Sequence, residues 1–289
     1  MTTAIAAADA RRFLAEEIRV SASIRSSRIV DAIATVPRER FLPPGPWVIR
    51  GVGDTGGAPR RTEDADCRHV YHDVAIAIDP ERNLFNGQPS LIARWLDRIG
   101  LDAGQRVIHI GCGTGYFTAL IGHVVGPAGR VDAIDVDAEL AIHARVGLAD
   151  QPWVHVRHSN GAAGLPDAAD AIVVHAGATH VLDTWLDALV DGGRLIVPLT
   201  CSIPGMPAGI GKGLMLFVTR RGNDWRAQVD AMMPVAIYSL KDLRDEQQGA
   251  ALGRAMMNGT LMKVTRIRRD PHDVSESCLV HGQTTCVSA

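Results

Sequence analysis

The chain has 289 residues, of which 46% are hydrophobic and 21% are charged, so it is long enough to bury a large core. Its 30 basic and 32 acidic side chains give a net charge of −2, which argues against the broad basic surface of proteins that bind nucleic acid or anionic membranes. No apolar run approaches the roughly 20 residues of a transmembrane helix, and no signal-peptide core is evident. We therefore expect a soluble, cytoplasmic protein without a nucleic-acid or membrane partner, and its oligomeric state stays open.

The cysteines are few and scattered along the chain, with no CxxC pair among Cys67, Cys112, Cys201, Cys278 and Cys286. This distribution predicts neither a disulfide framework nor a zinc site, and no metal ligand is assigned. Free thiols are the favoured interpretation. A local pairing of Cys278 with Cys286 stays open as the alternative.

The first third of the chain is predicted to be helical at both ends. Apolar residues at helical spacing predict a helical region over residues 5–36, which ends at Pro37 because a residue that precedes proline is displaced from the α conformation. A glycine-rich surface loop is predicted for residues 51–66 and a short strand for residues 70–78. An amphipathic helix that begins with a proline is predicted for residues 89–100.

From residue 107 onward, the predicted strands and helices alternate. Strands are predicted at 107–110, 130–135, 154–158, 171–175 and 194–198, with helices at 116–125, 138–149 and 181–189. This alternation predicts an α/β fold with a doubly wound, mostly parallel sheet. An antiparallel pair is then predicted at 212–218 and 225–237, followed by a helix that ends near residue 258, a strand at 261–268 and a polar end.

A glycine-rich turn follows the first strand of this sheet. Gly111, Gly113 and Gly115 form a GxGxG pattern that differs from the GxGxxG of dinucleotide sites, and no GKS or GKT of a phosphate-binding loop is present. Asp135 ends the next strand, where a carboxylate can accept hydrogen bonds from both hydroxyls of a ribose. The turn and the acid together predict a nucleotide-like ligand. The alternative role for Asp135 is that of a helix N-cap, with Asp137 as the competing cap.

These features, together with the segment DGGRLIVP at residues 191–198, resemble class I S-adenosylmethionine-dependent methyltransferases. The resemblance implies that S-adenosylmethionine is the cofactor and that Asn160 and Gly161 lie near its adenine. His109 departs from the pattern, because a carboxylate near the methionine amino group is usual there. A neutral imidazole can accept one hydrogen bond, and the alternative is an ordinary core histidine. The implied cofactor-binding residues are His109, Gly111, Gly113, Thr114, Gly115, Asp135, Val136, Asn160 and Gly161.

An ordered series of motifs also resembles the protein-L-isoaspartate O-methyltransferase family. The motifs are VPRERFLP at 36–43, YHD at 71–73, QP at 88–89, DAIVV at 170–174, GRLIVP at 193–198 and PVAIYSL at 234–240. The resemblance covers roughly residues 21–240, and VPRERFLP is its most specific part. It implies a class I methyltransferase-like sheet at 101–240, an N-terminal helical cap with acceptor-side loops at 1–100 and a C-terminal extension at 241–289.

The acceptor side departs most from this family. A hydroxyl residue usually precedes the Gln-Pro pair and helps to hold the substrate carboxylate, whereas here Gly87 precedes Gln88. The Asn86 amide or the Gly87 backbone N–H is the candidate replacement donor, and by resemblance Tyr71 lines the acceptor pocket. His175 ends a predicted strand at the ligand-binding edge of the sheet and is a further candidate, with an ordinary strand-end residue as the alternative.

Carboxyl methylation is the leading functional hypothesis. A carboxylate is ionised at neutral pH, so it needs positioning but no general base. The expected acceptor is an isoaspartyl or aspartyl residue in a peptide or protein, or a diverged carboxylate. The alternatives are a methyltransferase of a small-molecule or natural-product acceptor, and a module that binds S-adenosylmethionine without transferring its methyl group. The GxGxG and VPRERFLP patterns disfavour a nicotinamide-dependent oxidoreductase.

Overall fold

The structure is a computed structural model in which residues 2–51, 59–166, 168–205, 209–240 and 243–289 are described. The chain forms two compact units that are interleaved in sequence. The first unit comprises Met1–Gly104, Cys112–Val131 and Asp137–Val156, and the second comprises Gln105–Gly111, Asp132–Val136 and Arg157–Ala289. Among the described residues, no helix is both long enough and apolar enough to span a bilayer.

Seven α-helices are described, and they alternate with strands in the middle of the chain. The helices are α1 Thr2–Ser21, α2 Ser27–Thr35, α3 Pro89–Ile99, α4 Tyr116–Val125, α5 Ala138–Gly147, α6 Asp183–Asp187 and α7 Glu246–Met257. The strands are β1 Val48–Arg50, β2 Arg60–Arg61, β3 Ala75–Asp79, β4 Leu84–Phe85, β5 Arg106–Ile110, β6 Arg130–Asp135, β7 Val154–His158, β8 Ala169–Val174, β9 Leu189–Cys201, β10 Ile210–Arg221, β11 Asp224–Tyr238, β12 Arg266–Arg268, β13 Cys278–His281 and β14 Cys286–Ser288.

The first unit begins with two helices in place of the single helical region predicted for residues 5–36. Helix α1 ends at Ser21, and Ser23 in the turn that follows has a φ of +55°, which is incompatible with a continuing right-handed helix. The turn that follows lets α1 and α2 pack against each other. The apolar face of α2 buries Ile29 and Ile33, and the helix ends at Thr35, before Pro37, as the sequence predicts.

A small antiparallel sheet with the strand order β2-β1-β3-β4 follows in the first unit. Residues 52–58 of the loop predicted at 51–66 lie outside the described residues, whereas Arg60 and Arg61 pair with β1. The strand predicted at 70–78 is wrong in its first half, because Cys67–Val70 is a 3-10 helix and β3 begins only at Ala75. Helix α3 is confirmed.

The large sheet has ten strands in the order β13-β14-β12-β11-β10-β9-β8-β5-β6-β7. Strands β5, β8 and β9 are parallel neighbours, as predicted, and every pairing from β9 to β13 is antiparallel. The sheet is therefore more mixed than predicted, because β10–β14 extend it beyond the parallel core. In the second unit, Trp185, Leu195 and Val197 belong to one buried apolar cluster.

The C-terminal extension is more structured than its sequence predicts. Helix α7 confirms the helix predicted before residue 258. The strand predicted at 261–268 shrinks to β12, because Thr260–Lys263 forms a 3-10 helix. The predicted polar end folds into the β13–β14 hairpin, whose strands are too short to show a clear alternation of apolar and polar residues. All five cysteines are free thiols.

Candidate active site

The glycine turn after β5 has the backbone geometry that glycine permits. Gly111, Gly113 and Gly115 have φ angles of +76°, +57° and +100°. A Cβ at Gly111 would stand 3.1 Å from the carbonyl oxygen of His175, so a side chain is excluded there by its neighbour as well as by its backbone. A Cβ at Gly113 would have only Ile78 nearby, at 3.6 Å. The turn is therefore tightly packed at its first glycine and more open at its second.

The last glycine of this turn, Gly115, is also the N-cap of helix α4. Thr114 before it is buried. Substituting Gly115 would also strain the backbone, and a Cβ there would lie 3.1 Å from that of Ala144 in α5. These positions agree with the predicted cofactor-binding turn. The contacts that Thr114 and the glycines make with a cofactor stay a prediction.

Two acidic residues follow each other closely at the end of β6. The Asp137 carboxylate accepts hydrogen bonds from the backbone N–H groups of Glu139 at 3.0 Å and Leu140 at 3.1 Å and so caps α5. Asp135 is 8% exposed and is not this cap. Between the two acids, Val136 is 43% exposed although it is apolar. The cap of α5 is thus Asp137, and the ligand role of Asp135 stays a prediction.

Asn160 and Gly161 lie just after β7 and have local structural roles. The Asn160 side-chain oxygen accepts a hydrogen bond from the backbone N–H of Ala162 at 3.0 Å. A Cβ at Gly161 would lie 2.3 Å from Cγ2 of Ile110, and the Gly161 carbonyl accepts a hydrogen bond from Trp185 Nε1 at 2.8 Å. Packing alone therefore requires glycine at 161. The predicted contact of these two residues with adenine stays a prediction.

His109 and His175 form a buried pair in the second unit. His109 Nε2 and His175 Nδ1 are 2.9 Å apart, and the two rings meet edge to face. Burial, together with the neighbouring His175, holds the pKa of His109 well below its usual value, and burial lowers the pKa of His175 to about 4. Both rings are therefore neutral at pH 7. The structure thus brings His175, predicted as an acceptor-side candidate, into contact with the cofactor-side candidate His109, and the predicted role of each stays a prediction.

Arg38, within the VPRERFLP motif, joins several acceptor-side segments of the first unit. Its side chain is fully buried, and burial lowers its pKa to about 10, so it stays cationic at neutral pH. The guanidinium donates to the carbonyl oxygens of Val70 at 3.0 Å, His72 at 3.2 Å, Val74 at 2.8 Å and Gly87 at 3.4 Å, and to Oδ1 of Asn86 at 3.1 Å. The motif thus fixes the backbone around the predicted acceptor residues.

Tyr71 belongs to the same network and is buried. Its hydroxyl donates to the Glu39 carboxylate and accepts hydrogen bonds from the Arg38 backbone N–H at 3.2 Å and from Arg11 Nη1 at 3.3 Å. Burial and the bond to Glu39 raise the pKa of Tyr71. These contacts give Tyr71 a structural role, and the acceptor-lining role predicted from the sequence stays a prediction.

The Gln88 side chain also forms hydrogen bonds within the first unit. Its side-chain Nε2 donates to Asp73 Oδ2 at 2.6 Å, and the Asp73 carboxylate accepts two further bonds, from the Ser90 backbone N–H at 2.8 Å and from the Ser90 hydroxyl at 2.6 Å. The YHD and QP motifs are therefore held together at the start of α3. Gln88 is thus engaged with Asp73 within the protein, and its predicted catalytic role stays a prediction.

The two polar atoms of the Asn86 side chain differ in their hydrogen bonding. Its Oδ1 accepts hydrogen bonds from the Ile76 backbone N–H at 2.9 Å and from Arg38, which identifies the other terminal atom as the nitrogen. That nitrogen, Nδ2, is buried and has no hydrogen-bond partner among the described residues. A buried donor without a partner is unfavourable and calls for an explanation.

Gly87 has no room for a side chain. A Cβ there would lie 2.8 Å from Cγ1 and 2.9 Å from Cδ1 of Ile92, and 3.2 Å from Phe117. Ile92, on the first turns of α3, is buried. The place of the hydroxyl that the family carries is thus closed by a neighbouring apolar side chain.

Sequence reasoning identified the motifs but missed the central residue of the network. Arg38 and Asp73 lie inside the quoted motifs, yet nothing in the sequence distinguishes a buried arginine from the exposed Arg40 two residues later. The ionisable groups that organise the acceptor side were therefore recognisable as a motif but not as a network.

Comparison with known proteins decides the family. The family model described as Protein-L-isoaspartate(D-aspartate) O-methyltransferase (PCMT) matches residues 60–206, slightly more than half of the chain. The chain belongs to this family. A protein-L-isoaspartate O-methyltransferase from Anaeromyxobacter dehalogenans is 31% identical over 228 residues, which are 76% of this chain and 92% of the relative. The Thermotoga maritima relative of the same name is 31% identical over 187 residues, and the chain spans about half its length, 52%.

Solved structures of this family confirm the fold. A protein-L-isoaspartate O-methyltransferase structure aligns with a TM-score of 0.63 and 23% identity, over 86% of this chain and 69% of the other. A Plasmodium falciparum PCMT chain, solved with S-adenosyl-L-homocysteine, aligns with a TM-score of 0.58 and 17% identity, over 80% and 98% of the two chains. The class I methyltransferase fold predicted for this PCMT chain is thus confirmed.

Proposed function

We propose that this PCMT chain is a carboxyl O-methyltransferase that acts on the carboxylate of an isoaspartyl or aspartyl residue in a peptide or protein. The observation that carries the proposal is the Asn86 amide nitrogen, a buried donor for which the described part of the chain offers no partner. It lies next to Gly87, in the segment at residues 86–88 where the sequence predicts the acceptor site. Family membership supports methyl transfer and disfavours both a silent binding module and an unrelated small-molecule acceptor.

The residues around the glycine turn fit S-adenosylmethionine. The positive φ angles at Gly111, Gly113 and Gly115 favour glycine, so the turn carries no side chain at these positions. Asp135 ends β6 and is not the cap of α5. In the proposal, Asp135 accepts hydrogen bonds from the ribose, and the exposed Val136 gives an apolar surface to the adenine. When bound, S-adenosylmethionine supplies a methyl group on a sulfonium that is already activated for transfer.

Asn86 supplies the donor that the missing hydroxyl leaves open. In the proposal, Asn86 Nδ2 donates a hydrogen bond to the acceptor carboxylate and orients one oxygen toward the methyl group. Such positioning, with the reacting atoms about 3 Å apart, accounts for much of the rate enhancement in a reaction of this kind. The carboxylate is ionised at neutral pH and loses no proton, so the chain needs no general base.

The neutral histidine pair supports this division of roles. His175 lies against His109, and its pKa of about 4 makes it a poor proton acceptor at pH 7. In the proposal, His109 accepts a hydrogen bond from the methionine amino group through a ring nitrogen, and His175 fixes the orientation of the His109 ring. His175 is therefore a positioning residue and not an acceptor-side base.

Substitution of Asn86 by aspartate tests the donor role. Asn86→Asp keeps the shape of the side chain and the oxygen that faces Arg38, but it replaces the donor with a second oxygen. A bond to a charged acceptor contributes about 1.5–3 kcal/mol, so kcat/KM for an isoaspartyl peptide is expected to fall about tenfold or more. The affinity for S-adenosylmethionine, measured by calorimetry, is expected to stay unchanged.

The matched control is Asn223→Asp, in the exposed turn between β10 and β11. It makes the same chemical change away from the proposed site and is expected to leave kcat/KM unaltered. Equal activity of the Asn86→Asp and Asn223→Asp variants would contradict the assignment of Asn86 as the donor to the acceptor.

A further inference from the structure

The C-terminal extension contains a cluster of four side chains of the kind that bind metals. A ligating atom from each of His272, Cys278, His281 and Cys286 lies within 4.8 Å of the other three. The cluster falls outside residues 60–206, the part matched by the family model. We propose that these four residues form a structural zinc site that fastens the C-terminal extension.

The distances suit a tetrahedral ion. Zinc bonds of about 2.0–2.1 Å to nitrogen and about 2.3 Å to sulfur place neighbouring ligand atoms about 3.3–3.8 Å apart. Ligand atoms that already lie within 4.8 Å of one another need only small side-chain adjustments to reach that spacing. With four protein ligands the coordination is complete, which is typical of structural sites and not of catalytic ones.

The backbone explains how residues at irregular spacing converge. His281 and Cys286 are directly opposite each other on the antiparallel strands β13 and β14. The register shifts between Cys278 and Val280, and such a bulge reverses the alternation of side chains, so that residues three apart share a face. His272 arrives from the connection that follows β12. The scattered cysteines without a CxxC pair predicted no zinc site, and the proposal differs from that prediction because the β13–β14 pairing brings distant residues together.

His272 is oriented as a metal-binding histidine usually is. His272 Nδ1–H donates to the backbone carbonyl of Asp270 at 2.7 Å, and because a carbonyl only accepts, the lone pair of the neutral ring is on Nε2. That Nε2 is buried without a hydrogen-bond partner among the described residues, and the same is true of His281 Nδ1. Two buried imidazole nitrogens without partners are unfavourable unless a ligand such as a metal ion satisfies them.

The cysteines complete the set chemically. Cys278 Sγ accepts a hydrogen bond from the Ser275 backbone N–H at 3.4 Å, an arrangement that favours a thiolate. Two thiolates balance the charge of one divalent zinc ion, so the closed site is neutral. Soft thiolates combined with imidazoles select zinc over magnesium or calcium, which prefer oxygen ligands.

The expected consequence of zinc binding is a fixed hairpin. Thr285, at the hairpin turn, donates its hydroxyl hydrogen to the Val181 carbonyl at 2.7 Å, and Arg269 pairs with Asp183 at 2.8 Å and Asp187 at 2.7 Å in α6. These contacts attach the extension to α6 and to the loop that precedes it. A bound zinc ion would hold His272 and the two hairpin strands in the arrangement in which these contacts form.

Metal analysis of protein kept in reducing buffer tests the proposal. We expect roughly one zinc ion per chain, and we expect Cys278→Ser and Cys286→Ser to lose most of it. The matched control is Cys67→Ser, which alters a free cysteine far from the cluster in sequence and is expected to retain zinc. Because the cluster variants can also lose their fold, cobalt is titrated into wild-type protein that has been freed of metal. Cobalt is expected to give the visible bands of tetrahedral coordination and a thiolate charge-transfer band.

Three results would overturn the proposal. The first is wild-type protein that contains no zinc and whose cobalt spectrum is octahedral. The second is a Cys278–Cys286 disulfide found by peptide mapping under the same reducing conditions. The third is a zinc content that stays the same in Cys278→Ser and in Cys67→Ser. In support, removal of zinc by a chelator should increase amide hydrogen exchange in residues 266–288, and re-addition of zinc should reverse this increase.

Discussion

Two aspartates that are two positions apart perform different tasks at the end of β6. Asp137 accepts hydrogen bonds from the first backbone N–H groups of α5, and its carboxylate also pairs with Arg82. Asp135 is more buried and is not the cap of that helix. The sequence alone left the two roles exchangeable, since both residues are acids near the start of the same helix. The structure assigns the cap to Asp137, and Asp135 is the proposed cofactor ligand.

Alanine at each of these positions should separate the roles. Asp135→Ala is expected to weaken S-adenosylmethionine binding by about 1.5–3 kcal/mol, because charge-assisted bonds to the ribose are lost. Asp137→Ala is expected to cost about 1 kcal/mol of folding stability through the lost cap and to affect cofactor binding less. Calorimetric titration and urea unfolding of both variants measure the two effects. An unchanged cofactor affinity in Asp135→Ala would contradict its assignment.

Gly87 and Ile92 form a coupled pair at the acceptor segment. The absence of a hydroxyl at 87 cannot be reversed by adding serine alone, because its Cβ would lie 2.8 Å from Ile92 Cγ1.

A double-mutant cycle tests this coupling. Gly87→Ser is expected to destabilise the protein by about 1–3 kcal/mol through overpacking, and Ile92→Ala by about 2–5 kcal/mol through the loss of buried methyl groups. The double variant is expected to be more stable than the sum of the two losses by at least about 0.5 kcal/mol, since the smaller residue makes room for the serine. Strict additivity in urea unfolding would show that Ile92 does not close this place.

At the scale of elements, the VPRERFLP segment stabilises the backbone around the predicted acceptor residues through Arg38. Its Arg38 binds the carbonyl groups that lie between the 3-10 helix at Cys67–Val70 and strand β3, and it also reaches the Asn86–Gly87 segment. The buried Arg38 guanidinium, with its five acceptors, thus holds together backbone segments that have little regular secondary structure.

Removal of this cation should be costly, whereas removal of its neighbour should not. Arg38→Met is expected to lower the free energy of unfolding by about 3 kcal/mol or more, because several buried carbonyl groups lose their donor. Arg40→Met is the matched control in the same motif, and its largely exposed ion pair with Asp150 predicts a loss below about 1 kcal/mol. Similar unfolding midpoints for the two variants would contradict the stabilising role of Arg38.

The elements show what a single sequence can predict and what it cannot. Helix α4 and strands β6 and β7 have their predicted bounds, because their apolar patterns and bounding glycine, proline or aspartate residues are local signals. The contact between His109 and His175 was not predictable, since it depends on the register of β5 and β8, which places His109 opposite Val173, two residues before His175. The β13–β14 hairpin was missed because its strands are short and partly polar.

At the scale of the whole molecule, the part of the chain that the family model matches is followed by a C-terminal part that it does not match. The family match covers residues 60–206, and the predicted cofactor residues fall within it. The antiparallel strands from β11 onward, helix α7 and the His/Cys cluster follow that part of the chain. The glycine turn was predictable because glycine and acid spacing are local. The acceptor network was not, because it depends on which arginine is buried.

The most direct test of the account is methyl transfer from labelled S-adenosylmethionine to an isoaspartyl peptide, compared with the aspartyl peptide of the same sequence. We expect base-labile methyl ester on at least one of the two, with more on the isoaspartyl peptide, and a loss of label in the Asn86→Asp variant. Cofactor binding by calorimetry, measured on the same sample, verifies that the protein is intact. Full cofactor binding without ester on either peptide, or a methyl product that resists base, would contradict the proposed carboxyl methylation.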